Sequence, residues 1–257
     1  MEIDVITLVF RALAIFGGIL IGLFAFQIYK LSKGGLRGWM YISIFGGFLF
    51  FWAAASLATS LIGIGLLEKI AGTIGLLGLA FFVPLSYTKI CEELNLKRPD
   101  FLSTRVSVGF TSLVLMALLL LNVFSPSFAE FPMEKIVSIS LFTLGFAMAF
   151  ALIPLYVLVV NVKKAPWIIA LVATVLLSFS LFVGQHYNGC CGEGGEFEEI
   201  DELCGRYNLH YIEVTEGPCV GGVVKVGEFY QAYLTIGILL IAFSYYRLAG
   251  IFKNLNG

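Results

Sequence analysis

The sequence predicts an all-α integral membrane protein. The expected architecture is a seven-transmembrane-helix bundle, N-terminus outside and C-terminus inside, with a small disulfide-braced extracytoplasmic α/β cap between helices six and seven. Three observations predict it. Of 257 residues, 59% are hydrophobic and only 13% charged, against roughly 25% charged in soluble domains. Apolar stretches of the about 20 residues that cross a bilayer as helix follow one another along the chain. Finally, four of the five cysteines fall within NGCCGEGGEFEEIDELCGRYNLHYIEVTEGPC, residues 188–219.

The spans read from hydropathy are 5–30, 39–60, 66–88, 105–124, 136–160, 166–184 and 229–249. Their connections, such as KLSKGGLRG, NLKRPDFLST and SPSFAEFPMEK, carry the turn-formers and charges that hydrocarbon excludes. Three regions result: spans one to six over 1–184, an acidic Cys-rich segment over 185–228, and the seventh span with its short tail over 229–257. The first span follows an acidic leader, MEID, and its basic residues come after the apolar run. That order is the reverse of a signal peptide's, so the span is expected to be retained.

Orientation is expected from the lysines and arginines, because short positive loops stay on the cytoplasmic side. Lys30, Lys33, Arg37, Lys89, Lys97, Arg98, Arg105, Lys163, Lys164, Arg247 and Lys253 fall on one side. Lys69, Lys135, Arg206 and Lys225 fall on the other, and Arg11 lies inside the first span. Tyr29, Trp39, Tyr41, Tyr87, Trp167, Tyr245 and Tyr246 gather near the inner ends of spans, as an aromatic belt at the headgroups would. The expected location is the cell membrane, crossed many times, with the lipid bilayer as first partner and a membrane protein or a second copy as further partner. A net charge of -1 excludes nucleic acid, which needs a concentrated basic surface.

On this orientation the segment 185–228 faces an oxidising compartment, where disulfides persist. In EFEEIDELCGRYN the residues Phe197, Ile200, Leu203, Cys204 and Tyr207 recur at helical spacing, and LHYIEV alternates as a short strand. So small a unit needs cross-links. A bond between the vicinal Cys190 and Cys191 is geometrically unfavourable. Either Cys190 joins Cys204 and Cys191 joins Cys219, or the partners are exchanged. Cys91 is expected to stay a free thiol. The spacing of these cysteines and of His186 and His210 matches no zinc pattern, so no metal and no cofactor are expected.

Within the predicted spans no Asp, Glu or Lys lies at mid-depth. Ionisable groups there mark ion paths and proton relays, so their absence argues against a pump, an ion-coupled carrier and an intramembrane protease. A retinal Schiff base is excluded as well, since FYQAYLTIGILLIAFSYYRL has no lysine. No catalytic residue set is expected. Arg11 either snorkels to the outer headgroups or lines a ligand pocket with an acid such as Glu68. Gly18 and Gly22 form a small-xxx-small pair for helix packing. GLLGLAFFVPL and GFAMAFALIPL echo each other, and place Pro84 and Pro154 as candidate hinges.

The functional expectation is a binding, sensing or assembly subunit acting through a membrane partner. A carrier for a neutral or lipophilic solute is the alternative, and would need a polar path lined by several helices. A thiol–disulfide oxidoreductase using the outer cysteines is the second alternative, and would need a reactive Cys190 or Cys191.

Overall fold

The computed structural model of the protein describes residues 5–62, 65–96, 133–191 and 230–256, together with Arg105, Val106, Val108, Gly109 and Ser112. Six helices make up the described chain, with no strand among the described residues. They are α1 (Val5–Leu31), α2 (Gly38–Ile62), α3 (Gly65–Glu93), α4 (Met133–Val162), α5 (Ala165–Cys191) and α6 (Tyr230–Asn256). Each is apolar around most of its circumference, the pattern of a helix surrounded by hydrocarbon or protein and not by water. Four contain stretches long and apolar enough to cross a membrane: Leu8–Leu31, Gly38–Ala55, Leu144–Val162 and Ala232–Leu255. The outward faces agree with this. Phe16, Leu23, Val172 and Phe179 are among many large apolar side chains left about half exposed.

The helices form a closed ring. Each packs on the next in chain order, and α6 closes on α1. Directions follow from the contacts. A Cβ on Gly18 would meet Phe50 and one on Gly22 would face Ser43, so α1 and α2 are antiparallel. Gly38 abuts Ile90 while Gly78 abuts Phe48, which makes α2 and α3 antiparallel too. Lys163 and Lys164 alone separate α4 from α5, a connection that forces a hairpin. Gly237 against Leu177 and Ser244 against Pro166 set α6 antiparallel to α5. The contacts of Thr235 with Phe10, Ile238 with Gly17 and Tyr246 with Phe24 then make α6 parallel to α1. By closure, α3 and α4 run the same way.

Helices α1, α3, α4 and α6 all finish at one end, where α2 and α5 begin. Lys30, Lys33, Arg37, Lys89, Lys163, Lys164, Arg247 and Lys253 lie there, so we call it the basic end. The stops of α1 and α3 are built alike. The Gly34 N–H bonds the Tyr29 carbonyl and the Lys33 N–H that of Lys30; Leu96 and Asn95 repeat the pattern on Cys91 and Glu92. These are Schellman closures, and they place Lys33 at φ 53° and Asn95 at φ 50°.

Spans read from hydropathy and helices in space differ in two respects. Helix α3 runs on to Glu93 and α6 to Asn256, because polar last turns remain helical where hydropathy has already fallen. Helix α5 likewise continues past residue 184 to Cys191, so the backbone of Cys190 and Cys191 is helix and not the start of a loop. The expected cap beyond it, with Cys204 and Cys219, and most of the expected span 105–124 lie outside the described residues.

Candidate functional site at the basic end

Opposite members of the ring meet across its centre at the basic end. Ring order sets α3 opposite α6 and α2 opposite α5. The Tyr87 hydroxyl on α3 is hydrogen-bonded to that of Tyr245 on α6, both fully enclosed. Trp39, in the first turn of α2, packs on Trp167 in the first turn of α5 with ring centroids 5.7 Å apart. Trp39 also meets Tyr245 edge-on at 5.3 Å and Phe252 at 6.4 Å. Four helices are thus tied through one aromatic cluster, which closes this half of the ring.

Thr174 on α5 lies beside this tyrosine pair and donates its proton to the Ala170 carbonyl at 2.8 Å. Beside it lies a cavity of about 10 Å³ lined by Ile42, Phe45, Val83, Met148 and Ile241 as well as the hydroxyl-bearing residues. That is room for at most one water. Its neighbour Ser86 is turned back on the Phe82 carbonyl, and Ser178 on that of Thr174. The indole N–H of Trp39 finds no acceptor among the described residues.

The belt expectation is corrected here. Trp39, Trp167, Tyr87 and Tyr245 are not headgroup anchors; none exceeds 3% exposure. Hydropathy places them near the ends of spans, but only the ring shows that their side chains point inward. Tyr246 does face outward, at 56% exposure. Composition could have flagged the cluster only weakly: adjacent Tyr245 and Tyr246 project about 100° apart, so one is buried when the other faces lipid.

Polar pins fasten most of the ring's seams. Ser43 donates to the Gly22 carbonyl at 3.0 Å, Thr235 to that of Phe10 at 3.3 Å, and Ser244 to that of Pro166 at 2.6 Å. Between α3 and α4 the buried thiol of Cys91, a free cysteine, donates to the Pro154 carbonyl at 3.3 Å. At the α2–α3 seam Glu93 accepts the backbone N–H groups of Arg37 and Gly38, each at 2.9 Å, one per carboxylate oxygen. This is a helix cap supplied from another helix, and it sets a negative charge on the positive end of the α2 dipole. Each neutral pin contributes about 0.6 kcal/mol in a bilayer.

The residues singled out in the sequence fall as follows. Pro84 and Pro154 both lie inside continuous helices, one turn from the Tyr87 cluster and under Cys91 respectively; Thr88 donates to the Pro84 carbonyl at 2.7 Å. Gly18 and Gly22 both lie against α2, where Gly46 comes closest of all: a Cβ on it would sit 2.5 Å from the Gly22 nitrogen. Arg11 is half-buried in the second turn of α1. Glu68 is in the first turn of α3, its side chain outside the described residues. Among the described residues no three His, Cys, Asp or Glu side chains gather to hold a metal.

Fold and site together define a class: a polytopic α-helical membrane protein whose ring is closed at its basic end. No protein-family model, no curated protein and no solved structure matches the chain.

Proposed function

We propose that the protein is a seven-span membrane protein of the cell membrane that serves as a binding, sensing or assembly subunit and acts through a membrane partner. The observation that carries this reading is the cross-ring closure by Tyr87, Tyr245, Trp39 and Trp167. A carrier needs a wet polar path, whereas the hydroxyls here are spent on one another and on backbone carbonyls, around a cavity of about 10 Å³. A closed bundle with a buried tyrosine pair one turn from Pro84 suits a protein that changes shape and passes the change to a neighbour.

The seventh span is residues 105–124. Parallel α3 and α4 support it, since the chain must return between them. The basic end is the cytoplasmic one by the positive-inside rule, which leaves the N-terminus outside. Cys190 and Cys191, at the far end of α5, then begin an outer cap closed by bonds to Cys204 and Cys219.

The test is to purify the protein from its own membranes in mild detergent and weigh the intact particle by native mass spectrometry. A fixed stoichiometry with a second integral membrane chain, or with itself, is expected, and proteoliposomes of the protein alone should pass no neutral solute. A monomer that moves solute would overturn the reading in favour of a carrier. Peptide mapping of the unreduced protein checks the cap, and an alkylated Cys190 or Cys191 would replace it with thiol chemistry.

A further inference from the structure

We infer that the basic end of the bundle is a docking surface for anionic phospholipid headgroups of the leaflet that surrounds it; this rests on the membrane reading above. Positive charge at this end exceeds the acids available to neutralise it. Among the described residues two acids lie at this end, and both are already engaged. Glu92 pairs with Lys89 at 3.0 Å, and Glu93 is held by the α2 backbone. Lys30, Lys163, Lys164, Arg247 and Lys253 are all exposed. Their charges are distributed around the ring, on α1, on the α4–α5 turn and on α6, and none is directed into the closed centre.

Depth is the second element. The Lys30 ammonium lies 4.7 Å over the Phe26 ring, which is itself 43% exposed, so cation and apolar face occupy the same outer surface. Arg247 follows the outward Tyr246, and Lys163 and Lys164 follow the outward Tyr156 and Val160 on α4. Lys30, Lys163, Lys164 and Arg247 thus cap exposed apolar strips just where their helices leave hydrocarbon. A soluble anion would find the charges but leave the strips uncovered. A phospholipid covers both, with its phosphate at the cation and its acyl chains along Phe26, Tyr156 and Val160.

Spin-labelled lipids in bilayers containing the full chain test this. The protein-restricted fraction is read by electron spin resonance for phosphatidylglycerol and, separately, for phosphatidylcholine. A preference of about fivefold for phosphatidylglycerol is expected, corresponding to about one lysine's worth of attraction at a membrane surface. It should fall towards unity at high salt and in Lys163→Gln/Lys164→Gln, with Lys30→Gln as an independent second variant. Equal restricted fractions for both lipids would overturn the inference while leaving the membrane reading intact. Absence of any restricted component with either lipid would overturn the membrane reading itself.

Discussion

Tyr87 and Tyr245 join their hydroxyls across the centre of the ring, from helices that share no seam. Removing one hydroxyl leaves the other buried and short of a partner, which costs more than a net hydrogen bond is worth. Tyr87→Phe should cost about 1–2 kcal/mol in detergent unfolding, and the Tyr87→Phe/Tyr245→Phe pair less than the sum of the singles. Cys91, one turn along α3 and 1% exposed, reports the same event locally. Its alkylation by maleimide, read at the peptide level, should quicken in Tyr87→Phe. Strict additivity with unchanged Cys91 labelling would show that the pair is not coupled.

Glu93 and the start of α2 form the second testable relationship. Alanine removes both the acceptors and the charge, glutamine only the charge and one acceptor. Glu93→Ala is expected to lower stability by about 1–2 kcal/mol and Glu93→Gln by less. An equal loss in both would mean that the charge, not the capping oxygens, carries the effect.

Gly46 and Gly47 are adjacent and should respond in opposite ways. A Cβ on Gly46 meets backbone of α1 that cannot rotate away, whereas one on Gly47 meets nothing within 4 Å. Gly46→Ala should cost about 2–3 kcal/mol or prevent folding. Gly47→Ala should gain up to about 1 kcal/mol from helix propensity. The ranking of the two unfolding midpoints decides.

Asn95 occupies a left-handed conformation that glycine adopts without penalty. Asn95→Gly should stabilise the protein by a few tenths to about 1 kcal/mol. No gain in the unfolding midpoint would mean that the Asn95 side chain supplies a compensating contact.

Hydropathy along the chain was enough to determine that this is a helical membrane protein, and to place α1, α2 and α4 within a few residues. The physical reason is that burial in lipid is a property of composition, summed over each turn. The basic residues were legible in the same way, because charge is excluded from hydrocarbon wherever the helix neighbours lie. The order of helices around the ring was not, and with it went the identity of the site. Tyr87, Thr174 and Tyr245 are far apart in sequence and come together only when α3, α5 and α6 do. The inward turn of Trp39 and Trp167, which hydropathy reads as headgroup anchors, depends on the rotation of α2 and α5 against their neighbours. So does the capture of the α2 N-terminus by Glu93. In an all-round apolar helix no polar face announces which side is core, and that choice is made by packing and by a few directional hydrogen bonds.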